Sequence, residues 1–269
     1  VPPLPIGPGA VVLTGAGVST DSGIPDYRGP HAPVRQPMTY SQFRSSAAAR
    51  QRYWARGYLG WRSMWVAEPN DAHRMLAATA TTNGLGGLIT QNVDGLHTAA
   101  GHPDVIDLHG RLDRVVCLEC GRTTSRARVQ DRLSALNPGF SAENVTLLPD
   151  GDVDFEDTER FTVAECEYCG GVLKPDVVFF GENAPRQRVE ASRQLVNRAD
   201  WLLVLGSSLA VWSGLRFVKQ ARARDIPVVI VNRGATRGDE LADVKIDAGV
   251  TETLRLWLGA RELNGMSTQ

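Results

Sequence analysis

GAVVLTGAGVST, from Gly9 to Thr20, is a short apolar run that turns directly into a glycine-rich loop. An apolar run of this length between glycines reads as a buried strand, and the loop decides what kind of sheet that strand belongs to. Gly15 and Gly17 permit a tight turn and let backbone NH groups approach a pyrophosphate closely. The complete oxidoreductase fingerprint, G-x-G-x-x-G, needs a third glycine so that the next helix can pack on the strand. It also needs an acidic residue about 20 positions further on for the ribose. Thr20 stands in place of the third glycine, and Gln36 and Pro37 lie at that distance without a carboxylate. The loop therefore suits phosphates but not the usual hydride-transfer layout. From the two glycines alone, a plain strand-to-helix turn is the competing, lesser account.

Outward from this loop, GGLIT, DVIDL, WLLVLG and IPVVIV are further strand-sized apolar runs bounded by turn residues. Helical patterns lie between them: Asp71 to Thr82 behind a capping Asn70, Arg186 to Ala199 behind a proline, Ser213 to Arg224, and Thr251 to Gly259. Alternating strands and helices predict an α/β fold, a doubly wound parallel Rossmann-like sheet with helices on both faces. Two segments interrupt the rhythm. Helices are expected in an insertion at about 30–66, and a smaller module is expected at 111–173, which leaves 1–110 and 174–269 as the dinucleotide-binding domain.

Cysteine usage characterises the smaller module. Cys117, Cys120, Cys166 and Cys169 form two CxxC knuckles, a spacing that favours one structural zinc ion held by four thiolates, as in a zinc ribbon, over two disulfides or a redox pair. Four thiolates leave no open coordination position, so such an ion holds the fold and does no chemistry. The gap between the knuckles exceeds the roughly 15–20 residues of a simple ribbon and includes the acidic PDGDVDFEDTE.

Composition narrows the function classes. With 29 basic and 30 acidic residues among 269, the net charge of -1 calls for neither nucleic acid nor an anionic membrane. No apolar run approaches the roughly 20 residues of a membrane span. VPPLPIGPG at the start has neither the charged nor the apolar region of a secretion signal, and only three of the 29 basic residues are lysine. The expected location is the cytoplasm of a bacterium, or the mitochondrial matrix if the source is eukaryotic.

Polar residues cluster where strands end, which is where open α/β sheets bind ligands. Asp26, Tyr27 and Arg28 follow the loop; TQNVDGLH (Thr90 to His97) follows GGLIT; His109 follows DVIDL; Ser207 and Ser208 follow WLLVLG; Asn232 follows IPVVIV. The hydroxyls and the amide can bind ribose oxygens in place of the missing carboxylate. His31, His73, His97 and His102 lack such placement and read as structural or surface residues.

GAGVST, GIPDYRG, TQNVDGLH, the histidine of LHG, the two knuckles, KPDVVFFGE, GSSL and the VN strand end occur in this order. Together they resemble the sirtuins, NAD-dependent protein lysine deacylases, over about Ala10 to Trp257. RQRYWARGYLGW, LNPGFSAE and PDGDVD resemble the class II group, that of the mitochondrial lipoamidase and ADP-ribosyltransferase. The resemblance implies that NAD is consumed: an acyl-lysine oxygen attacks the ribose carbon that loses nicotinamide, and free lysine and O-acyl-ADP-ribose result. It implies His109 as general base and Asn92 beside the nicotinamide ribose, with Gln91, Val93 and Asp94 around the nicotinamide. Gly15, Ala16, Gly17, Ser19, Asp26, Tyr27 and Arg28 would line the cofactor, with Tyr27 covering the reactive sugar. Gly206, Ser207, Ser208, Asn232, Arg233, Gly234 and Val250 would take the adenosine side. An acyl-lysine protein or peptide would pair its backbone with Val177 and its neighbours.

Tyr53 and Arg56, one helical turn apart, can present a phenol and a guanidinium to a carboxylate at an acyl terminus. Two other classes use the same features: an ADP-ribosyltransferase with this NAD site, and a zinc-containing module that only senses NAD.

Overall fold

The computed structural model describes residues 7–28, 37–82, 84–142 and 145–265, with side chains described as far as residue 258. Its strands are β1 (Ala10–Thr14), β2 (Gly87–Thr90), β3 (Val105–Asp107), β4 (Gly110–Cys117), β5 (Thr123–Ser125), β6 (Leu173–Val177), β7 (Trp201–Leu205), β8 (Val228–Val231) and β9 (Val244–Ile246). Its helices are α1 (Tyr40–Ser45), α2 (Ala47–Val66), α3 (Asp71–Thr82), α4 (Leu96–Ala99), α5 (Arg126–Leu136), α6 (Arg186–Asn197), α7 (Trp212–Arg222) and α8 (Val250–Gly265).

Six strands form one parallel sheet in the order β3-β2-β1-β7-β8-β9. Every residue of β1, β2 and β8 is buried, as expected of strands covered on both faces. Alternation divides the core. Val11, Leu13 and Ile230 pack with Phe217 and Val218 of α7, whereas Val12, Leu88 and Val229 pack with Leu76 of α3 and Leu254 of α8. The strand order reverses between β1 and β7, so their C-terminal loops meet at the switch point where such sheets bind ligands. The expected strands are all present. β9, three half-buried residues at the sheet edge, has no apolar run to announce it.

The second sheet is antiparallel, in the order β5-β4-β6. Val177 pairs with Gly110, so the boundary expected at 173/174 falls within β6. The inserted helices pack on this module and not on the large sheet: Phe43, Trp54 and Met64 share a core with Val115, Val129, Leu133 and Phe161. The Trp54 indole donates to the Leu173 carbonyl at 3.1 Å, and Gln51 Nε2 to that of Phe161 at 2.7 Å. Arg126 is buried here, its guanidinium over the Trp61 ring and donating to the Gly57 carbonyl. Residues 29–36 of the expected insertion, His31 among them, lie outside the described residues, as do 143 and 144 of LNPGFSAEN. Among the described residues no helix is long and apolar enough to cross a membrane.

Candidate active site

Gly15 and Gly17 owe their identity to a neighbouring loop. A Cβ on Gly15 would lie 2.8 Å from the Gly206 carbonyl oxygen and 2.7 Å from Ser207 Cβ, and one on Gly17 would lie 3.0 Å from Gly206 Cα. The loops after β1 and β7 are laced together, Gly15 N donating to Leu205 O at 3.0 Å and Gly17 N to Gly206 O at 2.8 Å. Beyond them the chain makes two short 3-10 turns, Ala16–Val18 and Thr20–Ser22, where the oxidoreductase pattern has a long helix. Thr20 opens the second of these three-residue turns and no long helix, so the third glycine has no task there.

Three side chains interlock behind this loop. Asn92 Nδ2 donates to the Gly15 carbonyl at 3.1 Å and to Ser19 Oγ at 3.0 Å, and Ser19 Oγ donates to Asp94 Oδ2 at 2.7 Å. Asp94 also accepts from Leu96 N at 2.9 Å; burial nevertheless pushes its carboxyl above the usual range. Gln91 Nε2 donates to Ser207 Oγ at 2.8 Å, joining the ends of β2 and β7.

His109, just before β4, has Nδ1 2.9 Å from the Gln91 carbonyl oxygen and Nε2 2.8 Å from Ser213 Oγ. Burial lowers its pKa, and the charges of Arg216 and Arg188 act in the same direction against the Gln91 hydrogen bond. The ring is thus neutral at physiological pH, the state a general base requires.

A cavity of about 900 Å³ brings nearly all the expected residues together. Gly15, Ala16, Gly17, Ser19, Asp26, Tyr27 and Arg28 line it with Gln91, Asn92, Val93, Asp94 and His109, and Gly206, Ser207, Ser208, Asn232, Arg233 and Gly234 lie along its other side. Val250 lines an adjoining cavity of about 1070 Å³ that shares Gly17, Asp26, Gly206, Asn232 and Arg233 with the first. Val177 is buried and lines neither, but the next residue, Val178, does line the main cavity and donates to the His109 carbonyl at 2.7 Å.

Tyr53 and Arg56 are not brought to a shared cavity. Tyr53 packs against Phe43 and Phe179, whereas Arg56 lines a third cavity of about 320 Å³ with Tyr27, Pro149 and Asp150. The Arg56 guanidinium there binds Asp152 at 2.9 Å and donates to the Val153 carbonyl at 2.7 Å.

His73, His97 and His102 are buried, as structural histidines, under the floor of the site. His97 Nε2 lies 3.0 Å from Thr14 Oγ1, which donates to Thr90 Oγ1 at 2.8 Å, and Thr90 Oγ1 accepts from Asn92 N at 3.1 Å. Among the contributors to the main cavity that the sequence reading missed are Ser213, Arg216 and Pro149. Ser213 was legible only as the start of a helix. Pro149 sits in the acidic, turn-rich stretch between the knuckles, and nothing in that pattern signals where it folds back.

The four cysteine sulfurs lie within 4.8 Å of one another, with Cys117 and Cys169 3.5 Å apart and Cys120 and Cys166 3.8 Å apart. Sulfurs about 2.3 Å from a tetrahedral zinc are separated by such distances, so the set fits one zinc ion.

Fold and site together define a dinucleotide-binding α/β protein with a four-cysteine set that fits one zinc ion. The chain belongs to the Sir2 family, whose model matches residues 15–213. It is 54% identical over 262 residues to "NAD-dependent protein deacetylase 1" of Mycobacterium avium (strain 104), covering 96% of this chain and 92% of that one. It is 47% identical over 253 residues to "NAD-dependent protein lipoamidase sirtuin-4, mitochondrial" of Bos taurus, covering 91% and 80%. A solved structure described as "Sir2-p53 peptide-NAD+" superposes with a TM-score of 0.75 at 31% identity, over 94% of this chain and 93% of that one.

Proposed function

We propose that this protein is an NAD-dependent protein lysine deacylase that transfers the acyl group of an acyl-lysine to ADP-ribose and releases nicotinamide. The observation that carries the reading is the His109 imidazole, neutral and held at both nitrogens, in the one cavity with the Gly15–Gly17 loop and the Asn92–Ser19–Asp94 cluster. NAD supplies the ribose and the leaving group. His109 takes the proton of a ribose hydroxyl, Asn92 and Asp94 face the nicotinamide end, and Ser207, Ser208 and Asn232 face the adenosine end. The Gly15–Gly17 backbone approaches the phosphates, and Tyr27 lies across the cavity against Phe180, at 6.0 Å between ring centres, as a cover. The substrate is an acyl-lysine peptide lying between β6 and the Gly206–Ala210 loop, in the cleft between the sheet domain and the zinc module. For a bacterial source the cytoplasm is the place of action.

The test is a panel of acetyl, succinyl, lipoyl and longer acyl-lysine peptides incubated with NAD, with nicotinamide and O-acyl-ADP-ribose read by mass spectrometry. Both products are expected in equal amounts from at least one peptide. His109→Tyr is expected to abolish them, and a variant that still deacylates would falsify the assignment of the base. Nicotinamide release with ADP-ribose on protein and no acyl transfer would favour the ADP-ribosyltransferase instead.

A further inference from the structure

Ser213, the second residue of α7, holds its Oγ 2.8 Å from His109 Nε2. The other ring nitrogen, Nδ1, faces the main-chain carbonyl of Gln91 at 2.9 Å. A carbonyl oxygen only accepts, so Nδ1 carries the ring proton, and Nε2 of the neutral ring is left with a single in-plane lone pair. The Ser213 hydroxyl donates into that lone pair. The basic nitrogen is thus capped, and with the ring in this place a proton reaches Nε2 by way of Ser213.

The adjacent residue makes the arrangement possible. A Cβ at Gly214 would lie 2.4 Å from Gln91 Oε1, so glycine there lets the start of α7 seat against the residue whose carbonyl holds Nδ1. Arg216, one turn further on, lines the same cavity, and its Nε is buried without a hydrogen-bond partner. It forms no ion pair among the described residues, and its charge acts on the His109 ring.

We propose that Ser213 relays the proton between the substrate ribose hydroxyl and His109, an assignment that rests on the reading of His109 as general base. Ser213 Oγ takes the proton of the ribose hydroxyl as its own O–H bond breaks and that proton bonds to Nε2. The ribose oxygen keeps its electron pair for the bond to the acyl carbon. The ring ends as an imidazolium with Nδ1–H still on Gln91, and reversal of the same two transfers resets it. Ser213 also positions the ring, and its donated hydrogen bond favours the neutral form.

Two readouts test this, one of them free of NAD. In the NAD-free protein, NMR titration of the His109 ring is expected to show a higher pKa in Ser213→Ala, because a bond that favours the neutral form is gone. In single-turnover deacylation, Ser213→Ala is expected to be roughly tenfold slower, the value of one well-placed hydrogen bond, with the acid limb of its pH profile moved to higher pH. Ser213→Thr, which keeps the hydroxyl, restores both. A Ser213→Ala enzyme with the parental rate and titration overturns the relay, as does a Thr variant as slow as the Ala variant. His109→Ala separates the two assignments. If it deacylates at the parental rate, the base reading fails and the relay with it; if it alone is slow, only the relay falls.

Discussion

Asn70 Nδ2 stands 2.8 Å from the carbonyl oxygen of Val18, so the residue that caps α3 also holds the far end of the glycine loop. Its Oδ1 accepts from Ala72 N at 2.9 Å while Nδ2 also reaches Ser22 Oγ at 3.0 Å. The two functions separate by substitution. Asn70→Asp keeps the capping oxygen and loses both donors, so thermal stability is expected to stay near the parent while the KM for NAD rises several-fold. Asn70→Ala loses the cap as well and is expected to cost about 1 kcal/mol, read as a lower Tm with the same rise in KM.

The large sheet was legible because its strands are buried on both faces: AVVLT and VVIV are uninterrupted apolar runs, and Asn70 marks the start of α3. The residues gathered in the main cavity were legible because polar side chains directly follow such runs. β9 and the reach of Pro149 were not, since a three-residue edge strand and a turn-rich loop have no periodicity. The contact between Ser213 and His109 spans 104 residues and depends on how far α7 slides along Gln91, which no local pattern encodes.

The cysteine cluster closes a core that reaches well beyond it. Cys117 and Cys166 belong to the apolar cluster that includes Phe43 and Trp54 of the inserted helices. Removing the metal, or Cys120→Ser, is expected to loosen α2 along with the small sheet, at a cost of about 3 kcal/mol, which lowers Tm by roughly 6–12 °C. Near-ultraviolet circular dichroism and tryptophan fluorescence should follow the loss, and zinc, added back to the chelated parent, should reverse it. A chelated protein with an unchanged melting curve would refute a structural metal.

Three buried neutral histidines make the fold sensitive to mild acid. Burial, the first cause, lowers the His73 pKa to about 4 from its ordinary 6.5 and moves His97 and His102 in the same direction. Because the folded values lie below the unfolded ones, their contribution is complete above pH 6.5 and falls away as the pH drops toward 4. For His73 alone the loss reaches roughly 3 kcal/mol at the lower end. Tm is expected to fall steadily from pH 7 to 5.5, above the range in which ordinary carboxylates titrate. Because the folded His97 stays neutral over that interval, its link through Thr14 and Thr90 to Asn92 is expected to persist, so this link adds no pH dependence to NAD affinity there. A flat Tm between pH 7 and 5.5 would show that these rings take up protons without resistance.

Asp152 decides what Arg56 can do. The pair is 2.9 Å apart and largely buried, with side chains 14% and 12% exposed, and Asp150 and Glu156 line the same cavity. An acyl chain ending in a carboxylate would meet a guanidinium already neutralised and two further acidic groups, so succinyl- and glutaryl-lysine are expected to be poorer substrates than acetyl- or lipoyl-lysine. Asp152→Asn releases the guanidinium and removes one negative charge while keeping the side-chain shape. It is expected to raise kcat/KM for succinyl relative to acetyl peptide about tenfold, the worth of one charge-assisted hydrogen bond. Adding Arg56→Met to Asp152→Asn should return the ratio to the parental value. An Asp152→Asn enzyme with an unchanged succinyl-to-acetyl ratio would mean that the acyl terminus never reaches this cavity.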